Sequence, residues 1–425
     1  MRVMKDSGVY WIGSIPKNWL LLPTKRFFRT EKRIVGDSVN EYERLALTMQ
    51  GVIKRSKDDS EGLQPEKFEG YQILRENELV FKLIDLENVK TSRVGLSPYT
   101  GLVSPAYIVM TNDHKDNRFF YYWFMFMYYN EVFNQLGGTG VRSALNAKDV
   151  CNLPVPSIDY EEQSRIADYL DSKCSKIDSI IEKQTQIIEK LKEYKTSLIT
   201  EVVTKGLDPN VEMKDSGVEW IGKIPKRWKI SKIKNVAKTS SGGTPSSGIK
   251  EYYDGNINWV CSYDLHGSVI TESERKISSS GADVISGTLQ SPNCVLVAMY
   301  GGAGTVGNCG LLQCYAYTNQ AVCSISFEKS LIVPLFGFYV IKFLKEFWMI
   351  YAVGSRKDPN ISQETVKEMY FVIPSIDEQL SIADYLDRKC FQVDTLIKKK
   401  EQIIEKLKEY KKSLIYEAVT GKREV

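Results

Sequence analysis

Histidine is nearly absent from this 425-residue chain, which has only His114 and His266. Neither has a cysteine or carboxylate at ligand spacing, which argues against a zinc site or a histidine base. The eight cysteines, at 151, 174, 261, 294, 309, 314, 323 and 390, form no C-x-x-C pair. They read as reduced, mostly buried thiols of a cytoplasmic protein. No G-x-x-x-x-G-K-[ST] phosphate loop occurs, and no run of about 20 uncharged apolar residues suits a membrane. The nearest run, residues 331–351, contains Pro334, Lys342, Lys345 and Glu346 and reads as a buried or amphipathic helix. The start of the chain has Asp6 and Gly8 and no apolar core of a secretory signal. One-sided charge is also missing: 57 basic against 53 acidic residues leave +4.

What is present is a chain that begins twice. MKDSGVYWIGSIPKNW at residues 4–19 returns as MKDSGVEWIGKIPKRW at 213–228, keeping Trp11/Trp220, Gly13/Gly222, Pro16/Pro225 and Trp19/Trp228 in register. Further on, QSRIADYLDSKC from Gln163 returns as QLSIADYLDRKC from Gln379, and IIEKLKEYKTSLI from Ile187 returns from Ile403. This is an internal repeat whose frame is kept while its contents differ. With 43% hydrophobic residues the chain can bury two to four domains. Each copy opens with a basic stripe: residues 223–238 hold seven basic residues and no acid, and residues 25–33 hold five against Glu31. Interleaved with apolar residues, such stripes suit nucleic-acid phosphates as well as they suit a solvated face.

The second echo carries a heptad seam. Leu170, Cys174, Ile177, Ile181, Gln184, Ile188, Leu191, Lys195, Leu198 and Val202 alternate steps of four and three. Leu386, Cys390, Val393, Ile397, Lys400, Ile404, Leu407, Lys411, Leu414 and Ala418 repeat them. The spacing predicts two long helices, each of roughly 65 Å at about 1.5 Å per residue. Asp159 and Asp377 are the expected N-caps, and Gly206 with Pro209 the stop of the first helix. An antiparallel pair buries both seams and spaces two heads, and is preferred to two independent amphipathic helices. The expected divisions are 1–155, a first head; 156–206, a long helix; 207–373, a second head; and 374–425, a second long helix. The fold class is mixed α/β, with two α/β heads separated by the antiparallel coiled-coil pair in a pseudo-twofold repeat.

Within the heads, residues 72–82, 103–110 and 293–300 read as strands, and residues 119–130 and 336–348 as buried aromatic helices. Each aromatic helix is followed by an R-x-x-x-N spacing, Arg142/Asn146 and Arg356/Asn360. Arginine can take a phosphate or the O6/N7 edge of guanine, and asparagine the N6/N7 edge of adenine. Catalysis finds no support. Gly302, Gly304 and Gly307 make a G-x-G-x-x-G, but the residues after Gly307 alternate like a strand, whereas a dinucleotide fingerprint opens a helix. The E-x-K pairs at Glu193/Lys195 and Glu409/Lys411 fall on the heptad helices.

Together, W-I-G-x-I-P-x-x-W, GGTPS at 242–246, the A-M-Y-G-G-x-G-x-V-G stretch from Ala298, Thr318-Asn319-Gln320 and I-P-S-I-D-E-Q with its lysine-rich helix resemble the specificity subunit of type I restriction-modification systems. The resemblance runs along essentially the whole chain. It implies two target-recognition domains, each reading half of a split double-stranded DNA site, with helices that fix the gap and carry two methyltransferase (M) subunits. It further implies that S-adenosylmethionine, ATP and Mg belong to partners, that separate restriction (R) subunits cut, and that this chain is not itself an enzyme and binds no cofactor. The first head lacks GGTPS and the glycine run and resembles another recognition class, so an asymmetric target is expected.

Motif and chemistry together single out Lys54, Arg55, Lys82, Ser104, Tyr107 and Arg142 in the first head as DNA contacts. In the second head they single out Gly243, Thr244, Tyr300, Asn319, Arg356 and Lys357. Gly243 and Asn319 also suit purely structural roles. Helix-pair or partner contacts are Leu170, Ile177, Ile181, Ile188, Leu191, Leu198, Leu386, Val393, Ile397, Ile404, Leu407 and Leu414. A stand-alone methylating enzyme and a coiled-coil scaffold or RNA-binding adaptor remain alternatives. The first would methylate without a partner; the second would show no preference for a bipartite duplex.

Overall fold

The computed structural model describes residues 2–59, 67–84, 86, 93–136, 144–285, 287–302, 304–355 and 358–425. The chain forms two compact units, residues 1–185 with 401–425 and residues 186–400. The first long helix is Tyr160–Lys205, 46 residues, and the second is Ile376–Val419, 44 residues. Each contributes residues to both units.

Both units are built on one frame. The opening motif folds as an antiparallel hairpin, Met4–Asp6 with Ser14–Pro16 in the first unit and Met213–Asp215 with Lys223–Pro225 in the second. The next strand leads into the head and pairs with the strand that leaves it: Leu20–Pro23 with Pro154–Ser157, and Lys229–Lys232 with Tyr370–Ile373. The head is thus clasped at its base by chain ends distant in sequence. Trp19 and Trp228 are buried beside these clasps. The Trp19 indole N–H donates to Glu162 at 3.2 Å and that of Trp228 to Glu378 at 3.1 Å. A buried indole N–H needs such a partner, and each glutamate sits in the first turn of a long helix, where negative charge suits the dipole.

The helix starts differ in one respect from expectation. Asp159 caps the first, its Oδ1 accepting the Glu162 N–H at 2.7 Å. The second already begins at Ile376, which puts Asp377 inside the first turn and not at the N-cap. The cause is a two-residue difference, SIDYEEQ at 157–163 against SIDEQ at 375–379. Gln163 and Gln379 keep one register, their amides donating to the Ile158 carbonyl at 2.9 Å and the Pro374 carbonyl at 3.0 Å. The shorter copy therefore draws its aspartate into the helix.

Within the first unit, Asp178 meets Lys411 at 2.7 Å and the Tyr169 hydroxyl meets Arg423 at 3.4 Å, so the two helical stretches run antiparallel. Within the second, Lys195 meets Asp394 at 2.6 Å, and Gly206 and Glu378 flank Trp228, which gives the same sense. Leu170, Ile177, Ile188, Leu198, Leu386, Val393, Ile404 and Leu414 are buried. Ile181, Leu191, Ile397 and Leu407 are half-buried. Among the described residues no helix is long and apolar enough to cross a membrane.

The heads differ. The first contains two four-stranded sheets, ordered Gly51–Arg55, Arg44–Thr48, Gly101–Val103, Gln72–Leu74 and Arg29–Thr30, Ile108–Thr111, Leu79–Phe81, Val94–Leu96. Residues 72–82 are therefore two strands and not one, split by a turn in which Asn77 takes a φ of 62° and the Glu78 carboxylate accepts the Arg75 N–H at 2.8 Å. Residues 103–110 split likewise at Ser104, whose carbonyl accepts the Tyr107 N–H at 3.1 Å. The second head has a five-stranded sheet, Ala237–Ser241, Val322–Phe327, Val295–Ala298, Cys309–Leu312, Ser268–Ile270. Beside it lies a three-stranded one, Lys276–Ile277, Tyr253–Val260, Tyr317–Thr318. The aromatic helices are Arg118–Tyr129 and Pro334–Phe343, the second shorter than expected because Leu344–Glu346 and Trp348–Ile350 continue as tight 3-10 turns. Phe119, Phe120, Trp123 and Phe124 in one, and Phe336, Phe338 and Ile341 in the other, are core.

Candidate nucleic-acid interface

In the second head the motifs singled out by sequence come together through backbone contacts. A side chain at Gly242 would begin 1.7 Å from the Thr318 carbonyl, so only glycine lets these two segments meet. Gly243 N–H donates to that carbonyl at 2.9 Å, and the Gly243 carbonyl accepts the Trp259 indole at 3.1 Å. The Thr244 hydroxyl bonds Gln320. Asn319 forms the turn itself, its Oδ1 accepting the Ala321 N–H at 3.1 Å. Gly243 and Asn319 are thus scaffold, and Thr244 is held beside Gln320 at the exposed edge.

The same turn fixes Tyr300. Met299 N–H donates to the Ala321 carbonyl at 2.7 Å, and Ile361 N–H donates to the Met299 carbonyl at 2.9 Å. This seats the half-buried Tyr300 between the 318–321 turn and the base of the hairpin Val353–Ser355 with Asp358–Asn360. Arg356 and Lys357 lie outside the described residues. Beyond Tyr300, Gly302 and Gly304 take φ of 98° and 81° with open space around them, so the backbone there can approach a bulky polyanion closely. Sequence reading missed Tyr263 and Arg275, whose guanidinium stands 5.1 Å from the exposed tyrosine ring. Such a stack suits both base and phosphate. No motif marks this pair, because its members come from different segments.

In the first head Lys54 and Arg55 lie on the edge strand Gly51–Arg55. Lys54 pairs with Glu43 at 2.5 Å and lies 5.1 Å over the Tyr99 ring, while Arg55 pairs with Asp59 at 2.6 Å. They line a groove of about 510 Å³ together with Arg44 and Lys57, two further cations that sequence reading passed over. Ser104 and Tyr107 form the turn joining the two sheets, anchored by the Gln72 amide at 2.9 and 2.6 Å from their carbonyls. Burial pushes the Tyr107 phenol above its ordinary value. Lys82 is half-buried directly after the strand Leu79–Phe81, and Arg142 lies outside the described residues.

The basic stripes divide. Lys25, Arg26 and Arg29 line a groove of about 430 Å³ with Asp113 and His114. In the second stripe Lys226 pairs with Glu212, Arg227 with Glu378, and Lys232 and Lys234 with Glu368. Those two lysines hold the Glu368 carboxyl down at about 2. Lys223, Lys229 and Lys238 remain exposed. Burial raises the cysteines, to about 12 for Cys309 and Cys323, which suits packing and not nucleophilic chemistry. All eight are free thiols. The arrangement brings cations, amides, hydroxyls and the cation-stacked rings of Tyr99 and Tyr263 to the surfaces of the heads.

Residues 225–409 match the type I restriction modification DNA specificity domain. Over that span this chain is similar to the type I specificity family. The type I restriction enzyme MjaIX specificity subunit of Methanocaldococcus jannaschii is 31% identical over 199 residues, covering 44% of this chain and 43% of that one. The MjaVIII specificity subunit of the same organism is 25% identical over 302 residues, 68% of this chain and 66% of that one. The matches thus span two thirds or less of these relatives. The EcoBI specificity subunit of Escherichia coli is 22% identical over 331 residues, covering 74% and 67%. A solved structure from work on complex assembly and conformational transition of the type I R-M system superposes with a TM-score of 0.69 at 15% identity, covering 95% of this chain and 98% of that one. The fold shared with that structure therefore extends well beyond the matched span.

Proposed function

We propose that the chain is the non-catalytic, sequence-reading subunit of a type I restriction-modification complex, acting in the cytoplasm. Each head reads one half of an asymmetric bipartite duplex site, and the long helices set the unread gap. One observation carries this reading. The frame repeats down to the tryptophan–glutamate hydrogen bonds, 3.2 Å in one unit and 3.1 Å in the other, while the heads mounted on it have different sheets. A frame kept constant under unlike heads suits two different half-sites better than one.

The partners in this reading are two methyltransferase subunits, which bring S-adenosylmethionine, and restriction subunits, which bring ATP and Mg. Support comes from apolar side chains left in water on the long helices. In the first unit these are Ile180, Ile403 and Tyr410, each at least 44% exposed. In the second they are Leu396, Ile187 and Tyr194, the same repeat positions. One equivalent set per unit matches one methyltransferase per unit, docking through an apolar helical surface. Sequencing methylated adenines in cells that carry this chain with its methyltransferase tests the proposal. A two-part motif with unlike halves at a fixed separation is expected, and a continuous or palindromic motif would overturn it.

A further inference from the structure

In the second head the turn Ser262–Asp264 stands between the 318–321 turn and the glycine run. It follows the strand Tyr253–Val260, whose last carbonyl accepts the Asn319 N–H at 3.0 Å. On its other side, a side chain at Gly301 would begin 2.7 Å from the Ser262 hydroxyl, so the turn packs directly on the glycine run. The turn is closed at both ends. The Asp264 carboxylate accepts the Cys261 N–H at 2.7 Å, and the Asp264 N–H donates to the Cys261 carbonyl at 3.0 Å. Tyr263 is thereby held on a fixed backbone with its ring exposed. Arg275 arrives from another segment, and its backbone is fixed too: its carbonyl accepts the Trp259 N–H at 3.2 Å and the hydroxyl of the buried Ser273 at 2.5 Å.

Charge balance sets Arg275 apart. Arg227 pairs with Glu378, Arg388 with Asp384, and the neighbouring Lys276 with Glu272. Arg275 is exposed, has no carboxylate partner among the described residues, and rests its guanidinium 5.1 Å from the Tyr263 ring. The ring covers one face of the guanidinium and restrains it, which leaves the N–H edge for a ligand. A phosphate needs only a point charge, and the exposed Lys223, Lys229 and Lys238 supply that. A planar fork held in place matches two acceptors lying in one plane. Among the base edges of the major groove, guanine alone offers such a pair, O6 and N7.

Building on the proposed function, we infer that Arg275, stacked on Tyr263, takes the O6/N7 edge of one guanine in the half-site of the second head.

The test measures binding of the chain with its methyltransferase subunits to duplexes in which each base pair of the methylated motif is replaced in turn. Arg275→Ala should lose about tenfold or more of the discrimination at a single G·C pair, with the other positions and the salt dependence of binding unchanged. Tyr263→Leu, which keeps bulk but removes the ring, should lose part of the discrimination at the same pair. Arg275→Ala that discriminates as the parent does, or that changes a pair other than G·C, overturns the assignment. So does a loss shared evenly by all duplexes with a shallower salt dependence, which marks a phosphate contact. Both side chains are exposed, and an unaltered preference for the other half-site shows that a variant is folded. Failure of the proposed function itself looks different, because the parent complex then shows no bipartite preference.

Discussion

Gly206 and Gly421 follow the two long helices with φ of 79° and 69°, a conformation that side chains resist. A side chain at Gly421 would also begin 2.4 Å from the Pro16 ring and 3.1 Å from Trp19. Gly421→Ala should therefore cost about 1–3 kcal/mol and lower the melting temperature of the full chain. Gly8→Ala, also at positive φ but with open space around it, should cost less, and equal losses in calorimetry would contradict this account. Glu368 supplies the pH dependence. Lys232 and Lys234 hold its folded pKa at about 2, against roughly 4.3 for an unfolded glutamate. Depression of the folded value means that the stabilisation is present above about pH 4.3 and is lost as pH falls toward the folded value. A carboxyl NMR titration should give a Glu368 midpoint near 2, and a midpoint at the unfolded value would show the lysine pairs to be absent in solution. At this scale sequence marked Gly242 and Thr318 through their motifs. It could not reveal that the glycine is required by the Thr318 carbonyl pressing on it, nor that Tyr263 and Arg275 stack.

The long helices were legible because a heptad seam is a local pattern repeated many times, with capping residues at its ends. The two seam lysines, Lys195 and Lys411, look like flaws in that pattern until their partners across the pair, Asp394 and Asp178, are seen. Polar pairs at a seam fix register more than they add stability. Both lysines are partly exposed, so a double-mutant cycle on Lys195→Ala and Asp394→Ala should give a coupling of only about 0.2–1 kcal/mol. Zero coupling in chemical unfolding would remove their role in register. The short strands of the heads were read less well. Residues 72–82 and 103–110 look continuous because their apolar runs are, whereas tight turns at Asn77 and Ser104 break each into two strands of different sheets.

For the molecule as a whole, the proposed division of labour predicts two separable changes. Exchanging residues 213–373 for the second head of another system should alter one half of the methylated motif and leave the other intact. Alteration of both halves, seen by adenine-methylation sequencing, would defeat modular reading. Inserting about four residues, near one helical turn, into a long helix should lengthen the unread gap with both halves unchanged. An unchanged gap would remove the ruler function. By itself the sequence determined the repeat, the existence and length of the helices, and the difference between the heads, because these rest on periodicity and identity along the chain, whereas the antiparallel sense was an expectation that the Asp178–Lys411 and Lys195–Asp394 pairs bear out. Tertiary structure alone decided that each compact unit takes in pieces of both long helices. It also decided that Glu162 and Glu378 serve the two tryptophans, and that Lys342 of the second head helix reaches the Gly267 carbonyl. Those relations join residues far apart in sequence, where no local spacing records which side chains share a boundary.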